Sequence, residues 1–531
     1  MNHLPESRNG TTMKPLLIIF SVLLCFGSIR AQVPDSSALL FDETVVHEYE
    51  LSFYIEDWEE ALEYNYENGE EYMPARLVYN GMVWDSIGVR YKGNSSYMMS
   101  RGTPKKPLKF KFTEYRDEQT FYGIKRLNFS NCVKDPSFLR EMLAYNVIRR
   151  YVPASRTAYA NITAEGMLLG LYVQVEQVDK TFLERHFPDN DFNLYKAGDN
   201  GGTLEYRGES SSAYEAEYEL KTNEDENDWS RFITMMRLLD TADDESFRSE
   251  LEPWFDFSAA VRLLAFNMVL SNFDSYTGSG RNFYFYDEEI SGGLTMLPWD
   301  LNEAFGAYTN NWNVTTQDVL SISNLEHRPL ARRILENDEL RSMYLAFIKE
   351  MIDGPASYDS IAAVANTYHT LIKSHVQADQ YKLYSYDKFL ENLDSDVVIG
   401  LNMSVPGILS FADRRNAALR TQLGVYTGIG DDTPDAAANG FGAVTLYPNP
   451  LRDVAGLQYR TNDAGQVNLT VRNLLGQEVF RRSLGERSAG VHDFQASFSS
   501  LPAGTYIYRL TLGSGSTAYQ SSTSGTMVIL R

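Results

Sequence analysis

The sequence predicts an α+β protein in which a strand-rich part, a mainly helical part and a small C-terminal β-sandwich follow one another. Period-2 alternation of apolar residues dominates residues 43–175 and predicts strands. Apolar residues at helical spacing follow, from about residue 179 to residue 424. Alternation returns in residues 444–531, with Gly, Pro and Asn turns at intervals of about 8–12 residues, which is typical of a small β-sandwich.

The composition is that of a large globular protein. The chain has 531 residues, of which 43% are hydrophobic and 13% aromatic, so it can bury a sizeable core. The formal net charge of −23 argues against nucleic acid as a partner and favours basic protein substrates. The two cysteines are Cys25 and Cys132. Because Cys25 lies in an N-terminal apolar run, we expect one thiol and no internal disulfide in the mature chain.

The N-terminal 31 residues have the pattern of a secretory signal peptide. Residues 13–32 read MKPLLIIFSVLLCFGSIRAQ, a basic residue, an apolar run and small residues before an expected cut after Ala31, with Met13 as an alternative start. The apolar run is shorter than the roughly 20 residues of a membrane-spanning helix. No other stretch is long and apolar enough, so we expect no transmembrane segment in the mature chain. Cys25 would suit a lipoprotein, but the two bulky leucines before it disfavour that interpretation.

The strand-rich part is expected to contain one helix. The period-2 runs occupy residues 87–91, 108–112, 158–162 and 169–175. The helix is expected to begin near Asp135 and Pro136, where Asp can cap the first turn and Pro suits it, and to continue through SFLREMLAYNVIRRY. In the helical part that follows, residues 199–228 are Gly-rich and then acidic, and they predict an exposed insertion.

Three side chains that can bind a metal ion surround an expected β-hairpin in residues 272–306. An aromatic run and an apolar run, separated by a turn with two glycines, predict two antiparallel strands between Asn282 and Asp300. These two residues should therefore lie together at the open end, beside the loop that carries Asp274. Two carboxylates and an amide suit Mg²⁺, with nucleotide phosphates as further ligands, which suggests phosphoryl transfer. The alternative is a hairpin rimmed by polar turn residues.

The order of these residues is that of the catalytic parts of protein kinases: a base, a metal ligand, a hairpin and a second metal ligand. A protein-kinase catalytic loop carries His-Arg before its Asp, and here Asn272 and Phe273 stand there. The segment LPWDLNEAFG, with NFDSY and GRNFYFY upstream, resembles the spore-coat protein H (CotH) kinase family of atypical, kinase-like proteins. The resemblance extends over roughly residues 43–423.

This resemblance implies an atypical protein-kinase-like two-lobe fold in residues 43–424, with a strand-rich N-lobe and a mainly helical C-lobe. It implies binding of ATP and Mg²⁺ and transfer of the γ-phosphoryl group to a protein hydroxyl, with Asp300 as principal Mg²⁺ ligand and Asn282 as second ligand. Asp274 is then the base or the residue that orients the acceptor hydroxyl. Asn302 stands where many family members carry a second Asp, which weakens the binding of a second metal ion.

A candidate phosphate-binding unit lies upstream, in residues 88–112. It combines a strand, a Gly/Ser-bearing loop with Ser95 and Ser96, and a basic strand, so that backbone amides and a lysine could bind phosphate oxygens. It resembles the family's KGxSS followed by a Lys-Lys pair, which leaves Lys106 and Lys109 as candidates for the phosphate lysine. Lys109 is favoured because alternation puts it on the face opposite the core. The alternative is a solvated face on an edge strand.

Two glutamates complete the implied nucleotide site. Arg140-Glu141 matches the family's Arg-Glu on the helix, and Glu141 could pair with the phosphate lysine as a kinase αC glutamate does, although it could also be an ordinary surface residue. Glu176 ends the strand GLYVQVE, where a kinase hinge contacts adenine, and it matches the family's Gly-x-Tyr-x-x-x-Glu pattern.

The C-terminal part carries a second export signal. After a linker at residues 425–443, the motifs YPNP, LGQ and AGTY occur in residues 444–531, and they resemble the C-terminal sorting domain of the Bacteroidetes type IX secretion system. The resemblance implies the type IX secretion machinery as a partner and a secreted or cell-surface location. An immunoglobulin-like adhesion module is the alternative.

Other classes of function remain open or are disfavoured. The histidines show no HExxH spacing and the chain has no GxSxG motif, which disfavours a zinc hydrolase and a serine hydrolase. A non-catalytic surface protein that uses the kinase fold for adhesion or assembly is the main alternative, since ATP is scarce outside the inner membrane. The same metal site would also support phosphoryl or nucleotidyl transfer to a non-protein acceptor.

Overall fold

A computed structural model describes residues 35–289, 293–309, 311–400, 403–427, 441–447, 451, 453–473, 478–513 and 520–529. The expected signal peptide lies outside the described residues, as does most of the expected linker. Helices and strands are mixed through the chain, which confirms the α+β class. No helix in the described ranges has both the length and the apolar character needed to cross a membrane.

A closed barrel of seven strands forms the first part. Its strands, in sequence order, are β1 (Val46–Phe53), β2 (Met73–Tyr79), β3 (Met82–Tyr91), β4 (Leu108–Lys111), β5 (Arg126–Ser130), β6 (Thr157–Ala164) and β7 (Met167–Glu176). Their order around the barrel is β1-β2-β3-β4-β5-β7-β6. The barrel closes through parallel pairing of β1 with β6, whereas the other neighbours are antiparallel. The four expected runs fall on β3, β4, β6 and β7.

Alternation along these strands separates the barrel core from an outer face. Leu108 and Phe110 of β4 point into an interior packed with aromatic rings, where the rings of Phe110 and Phe129 lie 4.5 Å apart. Lys109, between them, is on the outer face of the barrel. The outer face of β3, β4 and β5 therefore carries charged side chains toward the rest of the chain.

Three helices belong to this part: α1 (Trp58–Glu67), α2 (Ser95–Met99) and α3 (Arg140–Ile148). The α3 helix begins four residues after the expected Pro136, because a tight turn precedes it. The Asp135 carboxylate accepts hydrogen bonds from the backbone N–H of Ser137 at 3.1 Å and of Arg140 at 2.9 Å, and Phe138 has a left-handed φ of 60°. Asp135 thus caps the helix from across this turn.

The second part is mainly helical around a four-stranded sheet. Its helices are α4 (Lys180–His186), α5 (Ser230–Thr241), α6 (Phe247–Leu251), α7 (Phe257–Val269), α8 (Pro329–Glu336), α9 (Asp338–Asp353), α10 (Tyr358–Ala378), α11 (Tyr386–Glu391) and α12 (Ile408–Thr427). The sheet has the order β11-β10-β8-β9, with β8 (Leu194–Ala197), β9 (Tyr218–Leu220), β10 (Phe283–Glu288) and β11 (Gly293–Pro298). A short hairpin of β12 (Val397–Ile399) and β13 (Met403–Val405) precedes α12.

Residues 199–228 differ from the expected exposed insertion. They supply β9 to the sheet, and Leu204, Tyr214 and Tyr218 are buried in the core of the helical part. Gly201 and Gly202 precede these three buried residues in the sequence, and the acidic run at residues 224–228 follows them. Composition alone does not predict that Leu204, Tyr214 and Tyr218, which are spaced along the segment, are buried.

A buried ion pair joins the barrel to the helical part. Lys105 Nζ donates to Asp379 Oδ2 at 2.5 Å, and both side chains are fully buried. The same carboxylate accepts the backbone N–H of Leu171 at 3.1 Å. Gly170 has a φ of +127°, and a Cβ there would lie 2.3 Å from Asp379 Oδ2, so glycine allows this close approach. The pair therefore links the loop before β4 to the end of α10.

The C-terminal part consists of two antiparallel sheets. Its strands are β14 (Phe441–Tyr447), β15 (Val454–Thr461), β16 (Gly465–Asn473), β17 (Glu478–Arg487), β18 (Gly490–Ser497), β19 (Gly504–Gly513) and β20 (Gln520–Ile529). One sheet has the order β14-β15-β18 and the other β17-β16-β19-β20. Apolar side chains of both sheets pack into one core, in which Leu457 of β15 and Leu469 of β16 are buried.

Candidate active site

The β10–β11 hairpin places Asn282 and Asp300 side by side at its open end. Phe283 pairs with Pro298, and the Trp299 backbone N–H donates to the Asn282 carbonyl oxygen at 3.1 Å. Asn282 and Asp300 both adopt left-handed conformations, with φ values of 62° and 49°. Asn and Asp tolerate this conformation better than most residues, but it still costs free energy. Paired strained residues at the end of a hairpin are typical of a functional site.

Asp274 lies directly against Asn282. The Asn282 side-chain nitrogen Nδ2 donates to the Asp274 carbonyl oxygen at 2.8 Å and to the Asp274 carboxylate oxygen Oδ2 at 3.0 Å. Because both bonds use the amide nitrogen, the amide oxygen of Asn282 remains available as a metal ligand. The structure therefore brings together all three residues that the sequence singled out.

Arg328 holds the loop that carries Asp274. Its guanidinium group is buried and donates from Nε to the Tyr276 carbonyl oxygen at 3.0 Å and from Nη2 to the Gly278 carbonyl oxygen at 3.4 Å. A Cβ at Gly278 would lie 1.9 Å from the Phe273 carbonyl oxygen, so only glycine fits there. The loop conformation thus depends on an arginine more than 40 residues downstream, which no local sequence pattern indicated.

Lys92, at the end of β3, is the lysine that faces Asp300 and Glu141. Burial lowers the pKa of Lys92, and the negative charges of Asp300 and Glu141 oppose that change. Its Nζ lies 5.7 Å from the centre of the Trp299 ring, next to Asp300. The sequence patterns do not single out Lys92 as the phosphate lysine. Its position directly before the Gly93 loop is the signal that could have identified it.

Glu141 of α3 is buried on the other side of Lys92. Burial and the charge of Asp300 raise the pKa of Glu141 to about 8, while a hydrogen bond with Ser130 and the charge of Lys92 oppose the rise. Its side chain is 4% exposed, so the interpretation as a surface glutamate is wrong. Burial likewise raises the pKa of Asp300, and Lys92 opposes it. Lys92 thus lies near two carboxylates, of which that of Glu141 is buried and that of Asp300 is half-buried.

The side chain of Lys106 does not extend toward Asp300. Its Nζ donates at 2.9 Å to the carbonyl oxygens of both Ser100 and Thr103, at the end of α2, and it lies 3.5 Å from Glu63. These contacts satisfy the ammonium group within the barrel part. The structure therefore does not bring Lys106 to Asp300, because the side chain turns back toward its own loop.

Lys109 lines a cavity of about 960 Å³ between the barrel and the helical part. The cavity extends from Lys109 and Arg126 on the barrel to Tyr284 of β10 and the chain segment after β7. Burial lowers the pKa of Lys109, and the positive charges of Arg90, Lys92, Arg126 and Lys196 lower it further. Lys109 therefore extends into the cleft, as alternation predicted, and it does so among other cations.

Glu176 is not available to an adenine ring. Its carboxylate is bound by two arginines: Arg156 Nη2 donates to it at 2.7 Å, and Arg185 donates from both terminal nitrogens. Its backbone N–H donates to the Arg156 carbonyl oxygen at 2.9 Å. The two arginines hold the pKa of this buried carboxyl below its usual range, against the effect of burial. The cavity is lined instead by Gln177, Val178 and Asp179.

Ser95 and Ser96 open the short helix α2 directly after the Gly93 turn. Gly93 has a φ of +75°, and a Cβ there would lie 2.3 Å from Ser96 Oγ. Tyr66 of α1 donates its hydroxyl to the Gly93 carbonyl oxygen at 2.6 Å and so holds the turn beside Lys92. Within the described part of the chain, neither serine side chain is hydrogen-bonded to the Asp274, Asn282 and Asp300 group. Their role in phosphate binding stays a prediction.

Glu303 is a further buried carboxylate near the site. It is 5% exposed and accepts a hydrogen bond from Lys134 Nζ at 2.8 Å, and its second oxygen Oε2 has no partner. Burial raises the pKa of Glu303 to about 7; Lys134 opposes the rise, and the charges of Asp274 and Asp300 add to it. Glu303 directly follows Asn302, and no pattern in the sequence predicts that it is buried.

The oxygen donors of the hairpin fit a divalent cation that keeps other ligands. Asp300 supplies a carboxylate and Asn282 an amide oxygen at one place. Among the residues that the structure describes, no group of three or more His, Cys, Asp or Glu side chains is arranged to hold a metal ion by itself. A cation at this point would need oxygens from a substrate as well, which is how Mg²⁺ usually binds beside phosphates.

Two segments of the chain match models of known protein families. A family model described as CotH kinase protein matches residues 89–419, which include Lys92, Glu141, Asp274, Asn282 and Asp300. A second family model, described as secretion system C-terminal sorting domain, matches residues 445–521, in agreement with the type IX sorting domain that the motifs resemble. The first match covers more than half of the chain.

Whole-protein comparisons add little. No curated protein matches the chain. Three solved chains match, one of them described as the crystal structure of dimeric latent PorU from Porphyromonas gingivalis. It is 19% identical over 16% of this chain and 9% of that chain, with a TM-score of 0.15, too low to bear on the fold.

Proposed function

Because the chain belongs to the CotH kinase protein family, we propose that it is a secreted atypical protein kinase. It transfers the γ-phosphoryl group of ATP to a protein hydroxyl with the help of Mg²⁺. In this proposal the barrel acts as the N-lobe of a kinase, the helical part as the C-lobe, and residues 177–179 as the hinge. The sorting domain supports export to the cell surface or the medium.

The observation that carries the proposal is the position of Lys92 between Glu141 and Asp300. In protein kinases a lysine of the N-lobe pairs with a helix glutamate and contacts the nucleotide phosphates, and the metal-binding Asp lies opposite. Here Lys92 Nζ lies 5.7 Å from the centre of the Trp299 ring, next to Asp300. Lys92, Glu141 of α3 and Asp300 are close enough to affect one another's pKa, which supports that arrangement. The lysine directly follows β3, which is two strands away from β5, the strand that precedes α3.

Each residue then has a distinct role in transfer. Lys92 binds phosphate oxygens, and Glu141 positions Lys92. Asp274 accepts the proton of the acceptor hydroxyl or orients that hydroxyl for in-line attack on the γ-phosphorus, while the leaving oxygen remains on the nucleoside diphosphate. Asn282 holds the Asp274 carboxylate by its 3.0 Å hydrogen bond. Asp300 and Asn282 would hold Mg²⁺, which neutralises charge on the phosphates.

Phosphoryl transfer to the chain itself is the direct test. The purified protein is incubated with ATP and Mg²⁺, and phosphorylated residues are sought by mass spectrometry, with Asp300→Ala as the matched inactive variant. The proposal predicts phosphate incorporation that the Asp300→Ala variant lacks. If added acceptor proteins and the chain all remain unmodified while the nucleotide binds, the non-catalytic adhesion or assembly role takes the place of the kinase. Equal incorporation in both proteins would rule out Asp300 as the metal ligand.

A further inference from the structure

The guanidinium group of Arg140, at the start of α3, crosses from the barrel part to the helical part. Arg140 is fully buried. Its Nη1 donates to the side-chain oxygen Oδ1 of Asn392 at 3.0 Å, and its Nη2 donates to the Pro406 carbonyl oxygen. Asn392 directly follows α11 and Pro406 directly follows β13, so both acceptors belong to the helical part. One side chain therefore ties the start of α3 to the helical part.

The Asn392 side chain that accepts from Arg140 is itself held in place. Its nitrogen Nδ2 donates to the carbonyl oxygens of Ser395 at 3.2 Å and of Val405 at 3.3 Å. It also donates at 3.2 Å to the Pro406 carbonyl oxygen, the second acceptor of the guanidinium group. Asn392 is fully buried. The helical part thus presents two fixed oxygens to Arg140.

On the barrel side, the turn before α3 binds the same guanidinium group. Nη1 also donates to Asp135 Oδ1 at 2.6 Å and to Ser137 Oγ at 3.1 Å. Three residues in and before this turn, Cys132, Lys134 and Phe138, have left-handed φ values of 60°, 59° and 60°. Because that conformation costs free energy in residues other than glycine, contacts from outside must hold the turn. The buried guanidinium group supplies such contacts.

Glu141 directly follows Arg140 in the first turn of α3. Consecutive residues of an α-helix point about 100° apart around its axis, so the two side chains have different neighbours. Arg140 reaches the helical part, whereas Glu141 faces Lys92. Within the described ranges, the Glu141 carboxylate forms no ion pair shorter than 4.0 Å. Its place near Lys92 therefore depends on the position of α3 as a whole.

Two other contacts between the barrel part and the helical part lie outside α3. Lys105, in the loop before β4, pairs with Asp379 after α10. Asn161 of β6 is hydrogen-bonded to His375 of α10 at 2.7 Å. These contacts join the two parts but leave the first turn of α3 to Arg140. They therefore allow the effect of general loosening to be separated from the effect of moving α3.

We propose that Arg140 is a positioning residue that fixes α3 against Asn392 and Pro406, so that Glu141 stays beside Lys92. This inference rests on the proposed function, in which Glu141 positions Lys92 for phosphate binding. In protein kinases the position of the corresponding helix controls whether the lysine and the glutamate can act together. In this chain a buried arginine of the helix itself holds that position.

The test is a double-mutant cycle on ATP binding to the full chain, measured by calorimetry with Mg²⁺. Arg140→Lys keeps a positive charge beside Asp135 but replaces the two-pronged guanidinium group by a single ammonium group. Arg140→Lys and Glu141→Ala should each weaken ATP binding by at least about fivefold. If Arg140 acts through Glu141, the double variant binds no more weakly than Glu141→Ala alone. Fully additive losses, or unchanged binding by folded Arg140→Lys, would overturn the proposal.

The accessibility of Lys92 is a second measurement, and it needs no nucleotide. A small amine-acylating reagent is applied to the folded chain, and modification of Lys92 is followed by mass spectrometry relative to the exposed Lys180. Arg140→Lys should raise the relative rate by at least about threefold, because α3 can then move away from Lys92. Asn392→Ala removes the same contact from the helical side and should act alike. An arginine that only stabilises the fold would lower the unfolding temperature and leave this rate unchanged.

His375→Ala is the matched control. It removes a hydrogen bond between the two parts, and Asn161 keeps its 2.8 Å hydrogen bond to Glu48. The variant should lose some thermal stability but keep the ATP affinity and the Lys92 modification rate of the unaltered chain. If His375→Ala exposes Lys92 as much as Arg140→Lys does, general loosening explains both results and the proposal is overturned.

These outcomes are distinguishable from failure of the kinase proposal. Faster Lys92 modification in Arg140→Lys and Asn392→Ala, in a chain that transfers no phosphate, would keep the positioning role and remove the kinase. Transfer from ATP with a kcat and a KM that Arg140→Lys leaves unchanged would keep the kinase and remove the positioning role. Thermal unfolding of every variant verifies that it is folded at the temperature of the measurements.

Discussion

The side-chain nitrogen of Asn282 donates a 3.0 Å hydrogen bond to Oδ2 of Asp274. The bond joins the loop that carries Asp274 to the start of a hairpin strand and uses one of the two carboxylate oxygens of Asp274. Asn282 can thus serve two functions: its nitrogen orients Asp274, and its oxygen can bind a metal ion. Because of this pairing, loss of either side chain should reduce the rate of phosphoryl transfer more than the stability of the fold.

Replacement of Asp274 should separate binding from turnover. Asp274→Ala removes the group that accepts or orients the acceptor proton, and such groups typically contribute 10²–10⁴-fold to a rate, roughly. We expect nucleotide affinity to change less than about threefold, while the rate of phosphate transfer falls by about 10²–10⁴-fold. Calorimetry and a transfer assay on the same preparation measure the two effects. Parallel loss of both would mean that Asp274 supports the structure of the site and not the chemistry.

Lys92 and Lys106 are a matched pair for testing which lysine binds phosphate. Lys92→Met should weaken nucleotide binding by about tenfold or more, since it removes a charged contact next to Asp300. Lys106→Met should leave binding unchanged and reduce the free energy of unfolding by about 1–3 kcal/mol, because the Ser100 and Thr103 carbonyl oxygens lose their donor. Nucleotide titration and denaturant unfolding of both variants are the measurements. The opposite pattern would assign phosphate binding to Lys106.

Local sequence patterns predicted the hairpin and the two residues at its open end, Asn282 and Asp300. The aromatic and apolar runs around the two glycines specify the strands, and antiparallel pairing then forces Asn282 next to Asp300. Alternation also put Lys109 on the correct face of β4. These features depend on period-2 geometry and on residues near one another in sequence, which is what sequence reasoning can use.

Long-range contacts account for what the sequence did not reveal. Glu176 matched a family pattern, but Arg156 and Arg185 decide where its carboxylate points. The barrel closes through parallel pairing of β1 with β6, strands more than a hundred residues apart. Lys92 is one residue beyond the end of β3, where alternation no longer indicates direction. None of these arrangements follows from the local sequence.

Replacement of Glu176 should reduce the stability of the fold and leave nucleotide binding unchanged. Glu176→Gln weakens two ion pairs of a buried carboxylate, leaving Arg185 without its counter-charge and Arg156 with Asp35 alone, which should reduce the free energy of unfolding by about 3 kcal/mol. Denaturant unfolding measures this loss. At a temperature where the variant is folded, its affinity for ATP should equal that of the unaltered chain. A selective loss of adenine nucleotide binding would restore Glu176 as a base contact.

The buried carboxyl of Glu303 predicts a pH dependence of stability. Its pKa rises from 4.5 to about 7 on folding, so the folded chain holds this proton more tightly than the unfolded chain. The contribution to stability is complete below about pH 4.5 and is lost as the pH rises to about 7, on the order of 3 kcal/mol in total. Glu303→Gln should remove this part of the slope. Unfolding in EDTA across that pH range tests it, and identical slopes for the two proteins would contradict the prediction.

The central claim is that Asp300 binds the metal ion of a nucleotide complex in the cleft beside Lys92. Titration of ATP into the unaltered chain and into Asp300→Ala, each with and without Mg²⁺, measures this directly. We predict that Mg²⁺ strengthens ATP binding to the unaltered chain and has no such effect on the folded Asp300→Ala variant. Absence of ATP binding by the unaltered chain at millimolar ATP and Mg²⁺, or an equal effect of Mg²⁺ on both proteins, would contradict the assignment.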